Sequence, residues 1–557
     1  MLEPSPAAIA ELHRMVGVAR VSLVDRLLGR EATLVRAPVP ADAVTIAAAL
    51  SALVATHDWR ALPYVGWLLA TDAAREPVIE SVRKLLPVDA EALEKLDTGM
   101  REKSWLQPRW WPPGKLFPGV PSLEVTHAFP LLRSFPSDVS IAGYLSFCPS
   151  GHVREIAVRA LADCHDGREL PFLLLRTNDW VEPVARMAMR ASSARLRPGY
   201  ESHFAERLAL VARMRERRRW DHSALVTLVE RFLSDTAPGR SALLGAFERG
   251  DRALRRTCAD VVRRCFPVGD GPSRSDLSTF VRDLDPVVRL RALDAIQRLG
   301  ADDDVAFWVE QLRTDRSATV RQRVWALAEE RLPATADKLA SEFFFDRNAW
   351  LREFARQHLE RLGIRDFAVR YRDAIRSGSH VEGAVLGLMD TGTKDDALLV
   401  APLIDSGSPR VRRAALLAAT SLDRDAAPAT LVRVVASGRT GLSRIAAARL
   451  TALRVFVPTD EIEALFGSPV PQVRAHALRI LRTRDRWAAL AWALRLRRES
   501  DAWIQRCVQR VLSERRHLPA SLYVEPSASR RAELVIALET LADEPGVSGT
   551  LRRLLRV

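Results

Sequence analysis

A nine-residue phrase, Val-Arg-x-x-Ala-x-x-x-Leu, returns about every thirty residues along most of this chain. Its clearest copies begin at Val153, Val288, Leu351, Val411 and Val473. Weaker copies begin at Ala185, Leu254, Val320 and Ile504. The steps from Arg255 to Arg289, Arg321 and Arg352 are 34, 32 and 31 residues. A period of this length is typical of stacked supersecondary units, so the repeat constrains the fold more than any other feature.

The phrase predicts a helix, because its Val, Ala and Leu fall at i, i+4 and i+8 on one helical face. The small alanine lets a paired helix approach closely. Helix start signals precede several copies, since Asp285-Pro286, Ser408-Pro409 and Ser468-Pro469 each place a capping side chain before a first-turn proline. A second apolar stretch between copies, such as 305–309, predicts the first helix of the next hairpin. The expectation is an array of helical hairpins.

The pattern resembles the HEAT repeat, in particular the short bacterial form named after phycobilisome lyases. The resemblance covers roughly residues 148–516 and, more faintly, 40–90. It implies an all-α, right-handed alpha-alpha superhelix of the HEAT/armadillo type. In that family the arginine after the valine usually makes hydrogen bonds within the solenoid. The resemblance therefore implies a structural role for Arg154, Arg289, Arg321, Arg352, Arg412 and Arg474, and a row of ligand-binding arginines is the alternative interpretation.

The repeat and its interruptions predict four regions. These are N-terminal helical repeats (1–99), an irregular Trp/Pro-rich insertion (100–150), HEAT-type repeats (151–516), and a C-terminal linker with capping helices (517–557). The insertion carries three tryptophans and three prolines within 105–114, and prolines oppose a regular helix.

Two interpretations of the insertion remain open: it packs back onto the repeats, or it docks a partner. Tryptophan and arginine dominate interface hot spots. On the second interpretation, the partner-binding residues are Trp105, Arg109, Trp110 and Trp111.

The chain is strongly basic, with a formal net charge of +14. Only six of its 83 basic residues are lysines, a skew that a GC-rich, bacterial genome explains most simply. A charge of this sign attracts polyanions nonspecifically. Equivalent exposed positions of the repeats carry mixed charges, which argues against a phosphate track along the whole length. Two basic runs remain as local polyanion-binding candidates, through Arg217, Arg218, Arg219, Arg479, Arg482, Arg486, Arg497 and Arg498.

We expect no catalytic, cofactor-binding or metal-ligating residues. The sequence holds no Gly-rich phosphate loop, no Gly-x-Ser-x-Gly and no His-Glu-x-x-His. His152 and Cys164 bracket a predicted helix of about 18 Å, too long for both to bind one zinc ion. A weaker hypothesis is an enzyme of the lyase or DNA-glycosylase type, because two such families are built on related repeats.

Five cysteines, an odd number and widely spread, argue against a disulfide framework. The N-terminus shows no secretory signal, and the longest apolar stretch, 43–56, is too short to span a membrane. The expected location is the cytoplasm. The leading function is a noncatalytic scaffold or adaptor for a protein partner. The alternative is a nucleic-acid-binding accessory protein that acts through its basic C-terminal repeats.

Overall fold

The computed structural model describes residues 4–15, 42–70, 75–87, 89–101, 125–217, 219–266, 274–452, 457–513 and 525–539. These residues form α-helices and short 3-10 helices joined by turns, and no strand occurs among them. The predicted all-α repeat fold is confirmed. The chain divides into two compact units, Met1–Leu312 and Arg313–Val557. None of the described helices has both the length and the apolar character that a bilayer crossing requires.

The first unit contains helices α1 to α17. They are α1 Pro6–Met15, α2 Ala43–Ala55, α3 Arg75–Leu85, α4 Ala90–Arg101, α5 Val125–Ser134, α6 Val139–Leu145, α7 Gly151–Asp163, α8 Leu170–Arg176, α9 Glu182–Ser193, α10 Glu201–Glu206, α11 Leu208–Met214, α12 Ser223–Ser234, α13 Ala237–Arg249, α14 Arg252–Cys265, α15 Arg274–Val281, α16 Pro286–Leu299 and α17 Asp302–Leu312. Short 3-10 helices span Trp59–Tyr64 and Gly66–Ala70.

The second unit contains helices α18 to α31. They are α18 Ala318–Arg331, α19 Pro333–Phe343, α20 Ala349–Arg361, α21 Phe367–Ser377, α22 Val381–Thr391, α23 Asp396–Val400, α24 Pro409–Leu422, α25 Ala427–Ala436, α26 Thr440–Ala452, α27 Thr459–Glu463, α28 Pro471–Arg484, α29 Arg486–Arg495, α30 Ala502–Ser513 and α31 Ala528–Glu539. Short 3-10 helices span Ala401–Asp405, Ala464–Gly467 and Leu496–Arg498.

Each unit is built from helical hairpins whose second helices stack on one another. In the first unit α7 packs against α9, and α14 packs against α16. In the second unit α26, α28 and α30 stack in order, and α25 pairs with α26. The alanine of the phrase lies in these seams, since Ala292, Ala355, Ala415 and Ala477 are buried. The helical phase predicted from the phrase is therefore correct.

The predicted helix start is correct in two of three cases. Asp285 accepts a hydrogen bond from the Val287 amide, and Ser408 accepts one from the Val411 amide. The third prediction is wrong by two residues, because α28 begins at Pro471 and not at Pro469. The second proline of this turn takes the first helical position, which suits its fixed φ and missing N–H.

Part of the predicted irregular insertion is helical. Residues 125–150 hold α5 and α6, and Pro130 lies inside α5. This stretch belongs to the core of the first unit, since the buried Tyr144 hydroxyl donates to the Leu62 carbonyl at 3.0 Å. Helices therefore form in this stretch despite its prolines, and Pro130 is accommodated within α5. The segment with Trp105, Arg109, Trp110 and Trp111 lies outside the described residues.

Candidate functional site

The six arginines of the phrase, which we name the repeat arginines, reach back into the turn before their own helix. In each, Nη1 donates to the carbonyl six residues earlier. The pairs are Arg154 to Cys148 (3.0 Å), Arg289 to Asp283 (2.7 Å), Arg321 to Asp315 (2.6 Å), Arg352 to Asp346 (2.9 Å), Arg412 to Ser406 (2.8 Å) and Arg474 to Ser468 (2.7 Å). These bonds satisfy carbonyl groups that the turn leaves without helical partners. The structural role that the HEAT resemblance implies is confirmed.

Three repeat arginines also bind an acid in the turn that begins the next repeat. Arg154 meets Asp179 with two bonds of 2.9 Å, and Arg321 meets Asp346 at 2.8 and 2.7 Å. Arg474 meets Glu499 at 3.1 and 2.7 Å. Each acid stands 25 residues after its arginine. The sequence shows this spacing for three of the six repeat arginines, since Thr314, Ser377 and Ser437 stand at the same distance from the other three. Such bidentate pairs fix the register between consecutive hairpins.

The basic run of the first unit is largely used inside that unit. Arg217 donates to Glu94 at 2.5 Å, and Arg213 pairs with the same carboxylate at 3.0 Å. Arg219 donates to the Asn178 carbonyl at 3.2 Å. Arg218 lies outside the described residues. The pairs with Glu94 leave less unneutralised charge for a polyanion than the sequence alone indicates.

In the second unit, α28 and α30 line a solvent-open cavity of about 390 Å³ that we name the arginine cavity. Four arginines line it, two on each helix: Arg479, Arg482, Arg506 and Arg510. Its other lining residues are Leu478, Trp503, Cys507 and Val511. The α30 residues fall at spacings of three and four, so they share one helical face. The cavity therefore combines cationic groups with an apolar wall.

The electrostatic environment of the arginine cavity is positive. Burial lowers the pKa of Arg479, and the nearby guanidiniums of Arg482 and Arg444 lower it further. Burial also lowers the pKa of His476 to about 4, with Arg479 and Arg444 adding to the effect. The His476 ring lies edge-on to Trp503, with ring centroids 5.8 Å apart. Burial is the larger cause of both shifts, and the neighbouring guanidiniums add a smaller effect of the sign that attracts an anion.

The structure brings only part of the predicted C-terminal basic group together. Arg479 and Arg482 line the arginine cavity, whereas Arg486, Arg497 and Arg498 are not among its lining residues. Arg486 begins α29, and Arg497 and Arg498 end a short 3-10 helix. Sequence reasoning singled out neither Arg506, Arg510 nor Trp503 as a site residue. Their spacing along α30 places them on one helical face and could have been read from the sequence. Only the packing of α28 on α30 shows that this face meets Arg479.

Comparisons with known proteins add no support to the fold assignment, which rests on the helices described above. No family model and no curated protein matches the sequence. Among solved structures, a mutant of Kap121p is 14% identical, with a TM-score of 0.28 over 96% of this chain and 57% of that chain. Kap121p itself gives 14% identity and a TM-score of 0.26 over the same shares. The chain thus spans about 57% of the length of these neighbours.

An engineered protein is also similar, at 14% identity and a TM-score of 0.17 over 75% of this chain and 98% of that chain. All three likenesses are too distant to transfer a function.

Proposed function

We propose that this protein is a noncatalytic interaction scaffold, built from short HEAT-type repeats of the phycobilisome-lyase kind, that binds a protein partner. The residues common to the repeats are the valine or leucine, the alanine and the repeat arginine, which are buried or partly buried and make their contacts inside the array. The residues that change from repeat to repeat are the exposed ones. Solenoids with a constant interior and a variable exposed surface present extended binding surfaces.

One observation carries the proposal: equivalent helix positions carry opposite charges in two pairs of neighbouring repeats of the second unit. The two pairs are α18 with α20 and α28 with α30. Counted from their repeat positions, Glu329 of α18 is equivalent to Arg482 of α28. Likewise Glu353 of α20 is equivalent to Arg506 of α30. Glu329 pairs with Arg361 and Glu353 pairs with Arg356, so a partner that follows the stacked helices meets ion-paired acids at one repeat pair and the arginines of the cavity at the other. Charge patterns of this kind match a folded protein better than a uniform polyanion.

An exposed aromatic residue near Glu353 supports protein binding at this part of the second unit. Trp350, at the start of α20, is 65% exposed and lies beside Phe354, with ring centroids 6.1 Å apart. It occupies the position equivalent to Trp503 of the arginine cavity. Tryptophan contributes more binding energy at interfaces than most residue types. We assign Trp350, together with the Trp105–Trp111 segment, as partner-binding.

The test is affinity capture from lysate with nuclease treatment, followed by identification of proteins that bind saturably. Changing Trp105, Trp110 and Trp111 together to Ala should abolish capture, since hot-spot aromatics contribute about 2 kcal/mol each. Trp350→Ala should weaken it. Phe129→Ala, which removes another exposed aromatic ring, is the matched control and should leave capture intact. Unchanged capture by the triple variant and by Trp350→Ala would refute this assignment.

The arginines of the C-terminal repeats, inside and outside the arginine cavity, favour a second candidate, a nucleic-acid-binding accessory protein. Reversing Arg482, Arg486, Arg497 and Arg498 to Glu should then remove retention of DNA or RNA on a filter. The retention should fall steeply with salt, because it depends on released counterions. If this variant loses function in cells while the tryptophan variants keep it, the nucleic-acid candidate replaces the scaffold.

A further inference from the structure

We propose that the arginine cavity is a specific site for a small organic phosphate, bound through Arg479 and Arg506 with its organic part against Trp503. This inference goes beyond the scaffold function and does not depend on it. Protein capture tests the scaffold function, and small-molecule binding tests the phosphate site.

Two of the four guanidiniums have donors to offer a ligand. In the described chain, Arg479 makes one long hydrogen bond, 3.5 Å to the Arg444 carbonyl. Arg506 is exposed and makes no ion pair with any described residue. They lie on different helices and face the same cavity. The planar guanidinium matches a phosphate group with two parallel hydrogen bonds, so two such groups suffice for a strong anion contact.

The repeat fold itself does not require these arginines. The position of Arg479 is held by Ala326 in α18, and the position of Arg506 by Glu353 in α20. Both helices form with those residues. Four guanidiniums line one cavity, and Arg479 adds to the lowering of the pKa of the nearby His476, although burial is the larger cause. An anion bound between Arg479 and Arg506 would be attracted by both guanidiniums.

The size and the wall of the cavity limit the ligand. Its volume of about 390 Å³ lies near the lower end of the range for small-molecule sites, roughly 300–1,000 Å³. Val511 and the Trp503 ring, both partly exposed, provide apolar surface beside the charges. Inorganic phosphate alone would leave this surface unused. A flat group attached to one or more phosphates, as in a mononucleotide, fits both features.

Isothermal titration calorimetry tests the site with ATP, AMP, inorganic pyrophosphate and adenosine as probes. We expect ATP to bind saturably with a stoichiometry near one, AMP and pyrophosphate more weakly, and adenosine not measurably. Arg506→Gln and Arg479→Gln should each reduce ATP affinity about tenfold or more, because a charge-assisted contact is lost. Arg424→Gln removes the same charge from an exposed turn and should have little effect. Trp503→Leu should reduce the advantage of ATP over pyrophosphate.

Several results would overturn the proposal. The first is absence of saturable binding of every phosphate probe at millimolar concentration. The second is equal loss of affinity in Arg506→Gln and Arg424→Gln, which would indicate a diffuse charge effect. The third is binding of a single-stranded oligonucleotide without binding of ATP, which would assign the cavity to nucleic acid. Circular dichroism of each variant tests for unfolding. Arg506→Lys keeps the positive charge but loses the planar pair of guanidinium donors, so it should retain more affinity than Arg506→Gln and less than the parent protein.

Discussion

Arg154 and Asp179 belong to successive hairpins and are joined by two hydrogen bonds of 2.9 Å, with both side chains fully buried. Asp179 also accepts a bond of 3.0 Å from Arg176 and another of 2.9 Å from the Val181 amide. Burial alone would raise the pKa of Asp179, but these partners hold it below the usual range. The carboxylate therefore serves as the shared counterion of two buried guanidiniums.

Asp179→Ala should destabilise the first unit severely. The change leaves Arg154 and Arg176 without their shared carboxylate, and breaking a buried pair typically costs about 3–5 kcal/mol. The measurement is the free energy of unfolding from urea titration. Asp166→Ala is the matched control, because Asp166 pairs with Arg168 at the surface. An exposed pair contributes about 0–1 kcal/mol, so equal losses in the two variants would contradict the role given to Asp179.

Ala292→Arg and Ala415→Arg should each open one hairpin locally. Both alanines lie in helix seams, where an unpaired charge costs several kcal/mol. Repeats couple mainly to their neighbours, so limited proteolysis should cut close to the substituted repeat before the rest unfolds. Ala436→Arg, at an exposed position that ends α25, should leave the digestion pattern unchanged. Identical digestion of all three variants would show that the seam tolerates the charge.

The sequence predicts features that depend on local spacing. The helical face of the phrase, the hairpins and the caps Asp285 and Ser408 all follow from residues within one or two turns of each other. The structural role of the repeat arginines follows from the family resemblance. The helices α5 and α6 were missed, because proline statistics do not reveal that a short helix packs into the core.

The arginine cavity was only half predicted, for a different reason. Arg479 and Arg482 stood out within a dense basic run, but so did Arg486 and Arg498, which do not line it. Which arginines face each other depends on how α28 packs on α30, and that packing joins residues about thirty positions apart. Charge density along the chain contains no information about this pairing.

Lowering the pH from about 6.5 to about 4 should weaken the second unit through His476. This imidazole is buried, and burial together with Arg479 and Arg444 lowers its pKa to about 4. The unfolded chain binds a proton below pH 6.5 and the folded chain does not, so protons favour unfolding throughout this window. The loss is on the order of 2 kcal/mol after allowance for solvent screening.

The check is the pH dependence of the melting temperature. His476→Phe should flatten the decline between pH 6.5 and 4, whereas substitution of the exposed His165 by Phe should leave it as in the parent protein. A decline of the same size in His476→Phe would assign it to other groups.

Ser437→Asp should strengthen the repeat that begins at Arg412. Within the described chain, Arg412 bonds only the carbonyls of Ser406 and Gly407, and the residue 25 positions later is Ser437 instead of an acid. That position precedes the next helix as Asp346 does in the pair with Arg321. An aspartate there should complete the bidentate pair and contribute up to about 1 kcal/mol, since Arg412 is only partly buried.

For a unit of this size the gain corresponds to a rise in melting temperature of about 2–4 °C. The double variant Arg412→Gln/Ser437→Asp separates pairing from a general effect of the new charge. Its melting temperature should fall back to that of Arg412→Gln alone, because the aspartate then has no guanidinium to bind. A gain that persists without Arg412 would mean that the 25-residue spacing does not by itself create the pair.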